Sequence, residues 1–265
     1  MSVIVWDHPL SPYAQKVKIA LREKGVAFET AVPGGIGIGG AEGDFLAANP
    51  RAEVPALVHD GFAVFDSTII LEYVEETWPE PALLPATPAE RARVRMIEDV
   101  VDTHLEAVNW GLGELRWFGR AQGPLGEKLA ATADQQVRGY FAWLERALGS
   151  NAWFNGAAFG WGDVSVTPYI NGSVGHGIAP PEGSRLADWL QRVNERPSLQ
   201  ETNAEALAVA ESQSGMAGVA DLLEQGLFKR EYRDHRLEWM VKSGGLDVVT
   251  DGLAKGNIRF SPDFA

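Results

Sequence analysis

The sequence contains no cysteine. That excludes disulfides, thiolate metal sites and any protein thiol acting as nucleophile. Sulfur chemistry, if there is any, must use a sulfur that arrives on a ligand. The five histidines, at positions 8, 59, 104, 176 and 235, are scattered without metal-ligand spacing, so no metal centre is expected. No apolar run reaches the roughly 18 residues a spanning helix needs, and no basic stretch leads into an apolar one near Met1. The expectation is a cytoplasmic protein with no membrane attachment. Basic charge is also short: 23 Lys and Arg face 36 Asp and Glu, a formal net charge of −13. So acidic a chain is not expected to bind nucleic acid, although a local basic pocket for a small anion is compatible with it.

The chain has 265 residues, of which 45% are hydrophobic. That is enough to bury a core in one or two domains without staples. Ser2 to Trp6 (SVIVW) reads as a short buried strand, followed by a loop over Asp7 to Leu10. From Pro12 to Lys24, the apolar residues Tyr13, Val17, Ile19, Ala20 and Leu21 recur mostly at helical spacing, and Gly25 is a helix stop. Val26 to Val32 reads as a second strand, parallel to the first across this β-α-β unit. Pro33 to Gly43 holds six glycines. Lacking the Lys-Ser/Thr of a phosphate loop, it is expected to be a flexible connection. Ala56 to His59 and Phe62 to Phe65 are strands joined at Asp60-Gly61, a strong hairpin signal. Thr68 to Trp78 follows as a helix that Pro79 ends.

This order predicts an α/β thioredoxin-like domain over residues 1–82 and, after a proline-punctuated linker, an all-α domain over 90–210. The first long helix, Glu90 to Arg120, carries apolar residues at 94, 97, 101, 105, 108 and 112. Further helices are expected over Glu127 to Leu148, from Asp163 onward, and over Asp188 to Glu195. A cleft between the two domains is the natural place for a ligand. Residues 211–265 read as a helical extension. There Phe228, Tyr232, His235 and Trp239 share one helical stripe, and Ser243-Gly244-Gly245 ends it.

Three short motifs carry chemistry. In HPLSPYAQKV, Ser11 precedes Pro12, and proline favours the first helical position. Ser11 is therefore either a plain N-cap or a hydroxyl that holds an anion at the positive end of a helix. A thiolate would suit that place. Lowering a thiol pKa by about two units takes about 2.7 kcal/mol, within reach of one hydroxyl bond plus a helix end. Val54-Pro55 ahead of a strand is either an ordinary edge proline or a cis pair whose exposed valine backbone can bind an extended peptide. Asp66-Ser67 opens a helix, as a cap or as a clamp for an amino-acid end, with Ser67 on the carboxylate and Asp66 on the ammonium. A ligand with a thiol, peptide edges and a free amino-acid end fits all three. Glutathione has those parts.

The segments SPYAQKVKIALREKGVAFE, NPRAEVPALVHDG and DSTIILEYVEETWPEP together resemble the N-terminal domain of cytosolic glutathione transferases. The Ser-Pro-aromatic start is similar to the tau and omega groups, and the resemblance covers roughly residues 3–200. It implies a thioredoxin-like domain followed by an all-helical one, a homodimer, and glutathione as co-substrate without a metal. On it, Ser11 is the hydrogen-bond donor to the glutathione sulfur, Val54 and Pro55 hold the cysteinyl backbone, and Asp66 and Ser67 bind the γ-glutamyl end. Serine in place of cysteine at position 11 argues against omega-type thiol transfer. In FGWGDVSVTP the family's Ser/Thr-x-x-Asp helix start keeps Asp163 as a structural residue but has Gly160 for the hydroxyl, so half of a capping box should be missing. Ala52-Glu53 stand where many relatives carry a lysine, which leaves Arg51 or Lys16 as cations for the glycyl carboxylate.

A hydrophobic, aromatic electrophile is expected in a pocket contributed by Tyr13, Trp110, Trp117 and Tyr169, with Phe118 and Trp161 nearby. Each aromatic taken singly reads more readily as core. The terminal Asn257 to Asp263 is similar to the tail of some bacterial glutathione lyases that cleave thioethers of lignin-derived aromatics, and the extension is expected to pack over the cleft. The expected function is transfer of glutathione thiolate to such an electrophile. The alternatives are a glutathione-dependent lyase or etherase, and a non-catalytic binding module.

Overall fold

The computed structural model describes residues 2–34, 43–119, 121–212, 237, 241 and 244–255. Four strands form one sheet: β1 (Val3–Trp6), β2 (Glu29–Ala31), β3 (Ala56–His59) and β4 (Phe62–Phe65), in the order β2-β1-β3-β4. β1 and β2 are parallel, as their crossover through α1 (Pro12–Glu23) requires, and the other two pairings are antiparallel. β2 is shorter than the seven-residue run read from sequence, and a short helix, α2 (Asp44–Ala48), precedes β3. The Asp60-Gly61 hairpin forms with both residues at positive φ. Helix α3 (Ser67–Thr77) closes this thioredoxin-like part.

The rest is helical. Pro88 to Arg116 is one long rod made of α4 (Pro88–Val100), a π turn (Val101–Leu105) and α5 (Glu106–Arg116). Thr87 and Glu90 start it with a reciprocal capping box. Then come α6 (Gly123–Leu148), α7 (Trp161–Gly175), α8 (Arg185–Asn194), α9 (Pro197–Ser212) and α10 (Leu246–Ala254). The aromatic stripe at 228–239, Ser243 and the segment 257–263 lie outside the described residues. Gly244 and Gly245 stand before α10.

Helix α1 is where the two parts meet, and every residue from Ala14 to Leu21 is buried. Val17 and Leu21 pack with Val3, Val5 and Leu57 of the sheet. Ile19 and Ala20 turn the other way, into a core shared with Val94, Ile97, Trp161 and Tyr169. A helix covered on both sides cannot send its lysines to solvent, so each meets an acid. Lys18 pairs with Asp7 at 2.6 Å and Glu205 at 2.7 Å, and Lys24 pairs with Glu75 at 2.7 Å. Glu75 in turn accepts from the backbone N–H groups of Leu83 and Leu84, which fixes the linker between the parts.

The start of α7 keeps the acidic half of its cap. Asp163 is fully buried and accepts from Gly160 N at 3.0 Å, Phe154 N at 2.8 Å and Trp189 Nε1 at 2.8 Å. Burial pushes its carboxyl up to about 6, against the pull of those bonds. The missing hydroxyl is replaced from outside the helix: Asn155 Oδ1 accepts from Gly162 N at 2.9 Å while its Nδ2 donates to Leu83 O at 2.5 Å. Gly160 is near extended backbone at φ −176°, so its role is spatial. A Cβ there would overlap both the Asn155 amide and the Leu83 carbonyl. Gly160→Ser, which would restore the usual motif, is therefore expected to destabilise the fold by about 2 kcal/mol. Chemical denaturation of the two proteins measures it, and an unchanged or raised stability would refute the packing argument.

Candidate functional site

Sheet register decides which motifs meet. Trp6 pairs with Ala31 and with Ala56, and Ala56 pairs with Phe65, so these four residues form one row across the sheet end. The loop after Trp6 leads to Ser11, Pro55 directly precedes Ala56, and Asp66 directly follows Phe65. The three motifs, 11, 54–55 and 66–67 in the chain, thus emerge on one edge.

Ser11 is the N-cap of α1, with extended backbone (φ −77°, ψ 116°) and Pro12 behind it. Its Oγ accepts from Ala14 N at a long 3.4 Å. That bond uses a lone pair only, so the hydroxyl proton is still available to a ligand acceptor. The residue is partly exposed. The Val54–Pro55 bond is cis. The loop before it is held by Asn49, which sequence reading did not single out: buried, it donates from Nδ2 to Glu53 O at 2.6 Å and accepts from Arg51 N at 3.0 Å. Its one sequence signal was the Asn-Pro dipeptide, a turn former. Asp66 caps α3, accepting from Thr68 N at 3.1 Å and Ile69 N at 3.4 Å. It does so at φ 74°, a region an L-residue with a Cβ rarely adopts and one that gathers at functional sites. Ser67 follows as the first helical residue and is buried.

The two candidate cations separate. Arg51 is exposed on the rim, bonded to Glu53 at 2.8 Å and 3.8 Å from Asp66. Lys16 is not at the surface at all. Its ammonium is fully buried between Glu98 (2.7 Å) and Asp102, with Thr68 Oγ1 at 3.4 Å, so it cannot reach a glycyl carboxylate. Burial alone would lower the lysine pKa, but the two carboxylates outweigh it and raise it. Asp102 is pushed up by its own burial and by Glu98, against the pull of Lys16.

The expected aromatic pocket is only partly assembled. Tyr13 is partly buried beside Ser11, its hydroxyl donating to Asp102 O at 2.7 Å. Tyr169 is 1% exposed, edge-on to Tyr13 at 5.9 Å. It backs Tyr13 from within the core and does not line an open pocket. Trp161 is likewise core, its Nε1 donating to Glu98 at 2.5 Å. Phe118 is also buried. Trp117 is 49% exposed but stacks on His176 at the far end of α7, with ring centroids 4.9 Å apart. Trp110 is partly exposed on α5. Among the described residues there is no group of His, Cys, Asp and Glu able to hold a metal.

Comparison with known proteins identifies this arrangement. The glutathione S-transferase N-terminal domain matches residues 10–77, the stretch that contains all three motifs. Glutathione S-transferase U28 of Arabidopsis thaliana is 30% identical over 211 residues, covering 77% of this chain and 89% of the plant protein. The chain belongs to the glutathione S-transferase family. Its enzyme class and its co-substrate, glutathione, follow from that membership. A second relative, maleylacetoacetate isomerase of Rattus norvegicus, is 33% identical over 171 residues, 63% of this chain and 76% of the rat protein. The structure of a rice glutathione S-transferase in complex with glutathione aligns at a TM-score of 0.64 and 27% identity, over 76% of this chain and 90% of that one.

The buried ion cluster welds the glutathione S-transferase sheet domain to its helical partner, and its removal is measurable. Lys16→Met would leave Glu98 and Asp102 buried without their cation, at an expected cost of about 3–5 kcal/mol. Urea denaturation tests this, and a loss below about 1 kcal/mol, the worth of an exposed pair, would mean the pairing is solvated.

Proposed function

We propose that this protein is a serine-type glutathione transferase in which the Ser11 hydroxyl donates a hydrogen bond to the glutathione thiolate. The observation that carries the reading is the long Ala14 N–H bond to Ser11 Oγ, which lets one hydroxyl cap α1 and still serve a ligand. The N-terminal amides and dipole of α1 add partial positive charge at the same place. The Val54 backbone beside its cis proline pairs with the cysteinyl segment. Ser67 and the start of α3 take the γ-glutamyl carboxylate, and Asp66 takes its ammonium. Arg51 is the rim cation available to a glutathione carboxylate. The thiolate is the nucleophile and Ser11 stays uncharged and unmodified.

The second substrate is a small hydrophobic, aromatic electrophile taken up beside Tyr13 and Trp110. The name of the rat relative favours a second reading of the same site. In it the thiolate adds to a conjugated carbon and is expelled again, so the product leaves without glutathione. The lyase reading drew on the terminal segment, outside the described residues, and gains no support here.

We further propose a homodimer. Phe62, Ile69 and Met96 are 59%, 57% and 62% exposed. Phe62 stacks near Tyr73, one turn from Ile69 on α3. Glu72 of α3 bonds Arg95 of α4 at 2.6 Å, next to Met96. Beside them a cavity of about 520 Å³ opens between α4 and α6, lined by Ala92, Arg95, Met96, Asp99, Val100 and Trp143. This apolar strip crossing both domains suits a second copy of the chain.

Two measurements test these readings. Ser11→Ala is expected to raise the bound thiol pKa by about one to two units, lowering the thiolate absorbance and the transfer rate near neutral pH by about 10–100-fold. If glutathione neither raises the melting temperature of the wild type nor quenches its tryptophan fluorescence, the reading fails. Met96→Glu is expected to shift a dimer to monomer in sedimentation at micromolar protein. A monomeric wild type would refute the dimer.

A further inference from the structure

The π turn inside the first long helix of the helical domain creates a contact with the first turn of α1, two residues from Ser11. In an α-helix the Glu106 N–H would bond to the Asp102 carbonyl, four residues back. Here it bonds to Val101 O, five back. The Asp102 carbonyl is thereby released from its α-helical donor, and it accepts the Tyr13 hydroxyl at 2.7 Å. The side chain of the same residue is bound by the buried Lys16 ammonium, which belongs to the same helix as Tyr13. Asp102 is thus gripped twice by α1, through its backbone by Tyr13 and through its carboxylate by Lys16. Single-turn π insertions are frequent where a functional site needs one group displaced from regular helix.

We infer that the π turn at Val101–Leu105 is a positioning device: it fixes the ring of Tyr13 as a rigid wall beside Ser11 and so sets the size of the group accepted on the glutathione sulfur. Tyr13 is a specificity-determining residue and takes no part in ionising the thiol, because its proton is already committed to the Asp102 carbonyl. The ring is held from behind by Tyr169, edge-on at 5.9 Å and buried. With both ends fixed, a bulky substituent cannot push the ring aside without breaking the hydroxyl–carbonyl bond. In this the fold spends an irregular turn on a wall that flexible side-chain packing alone would leave mobile.

The inference rests on glutathione binding at Ser11, and its test separates the two. Glutathione, S-methylglutathione and S-(naphthylmethyl)glutathione are titrated calorimetrically into wild type and Tyr13→Phe, and the thiolate absorbance of bound glutathione is followed with pH. The phenylalanine keeps the ring and loses only its tether. Expected are glutathione and S-methylglutathione affinities within about twofold of wild type and an unmoved thiol pKa. The naphthylmethyl-to-methyl affinity ratio should change by about fivefold or more, a difference of about 1 kcal/mol. A general loss of packing would weaken all three ligands together, and that result would overturn the proposal. So would an unchanged ratio, or a thiol pKa that rises, since the latter makes Tyr13 a donor to sulfur. Wild type that binds none of the three refutes the glutathione site itself, before any variant is compared.

Discussion

A lysine side chain with no access to water holds this molecule together. Lys16 lies on α1, which supplies one face to the sheet and the other to the helical domain. An ammonium there costs several kcal/mol to desolvate, and Glu98 and Asp102, both on the first long rod of the helical domain, offset that cost. Glu98 also receives Thr68 Oγ1 at 2.9 Å and the Trp161 indole, so α1, α3, α4 and α7 converge on one carboxylate. Lys18 with Glu205, and Arg196 with Glu23, repeat the device toward α9 and the start of that helix. The domains are joined by these ion pairs together with the apolar core that Ile19, Ala20 and Leu71 share with the helices. Their relative placement is accordingly fixed to hydrogen-bond precision.

That precision matters because the site lies along the same helix. Ser11 caps α1, Tyr13 is in its first turn, and Lys16 is about one turn further on. The partner motifs reach Ser11 through backbone pairing, with Ala56 bridging Trp6 and Phe65 across the sheet end. One helix therefore carries the capping serine at its tip, Tyr13 in its first turn, and the Lys16 anchor to the second domain. The cap and the anion holder, which sequence presents as rivals for Ser11, are compatible in this geometry. The oxygen accepts from a backbone amide, and that bond leaves its proton uncommitted.

Much of the sheet domain was legible because its signals are local. The short apolar runs of β1, β3 and β4, the Asp60-Gly61 turn, and the stops at Gly25 and Pro79 each act within a few residues. The family's motifs could be placed for the same reason. Errors arose where the outcome depended on distant partners. Tyr169 looked like a pocket aromatic, yet the packing of α7 against α1 and the long rod encloses it. Lys16 looked like an available cation, yet both faces of its helix are covered. Gly160 looked like a lost cap, while Asn155, five residues away, does that work and needs the space a side chain would fill. Nothing in the 3.6-residue pattern from Val94 to Leu112 marks the π turn, because hydrophobic spacings of three and four accommodate an inserted residue without a gap.

By itself, then, the sequence determined the kinds of element, their order, and the chemistry within reach. With no cysteine, the nucleophilic sulfur has to come from a ligand, and a Ser-Pro at a helix start can greet it. Only the tertiary structure decided which side chains are free to act on that ligand. Availability depends on what covers a residue, and cover comes from helices that lie up to 187 positions away along the chain, as Lys18 and Glu205 do. Local propensity carries no record of such partners. Long-range packing placed Lys16 and Lys18 in the core, buried Tyr169 behind Tyr13, and left Ser11 partly exposed at the start of the helix.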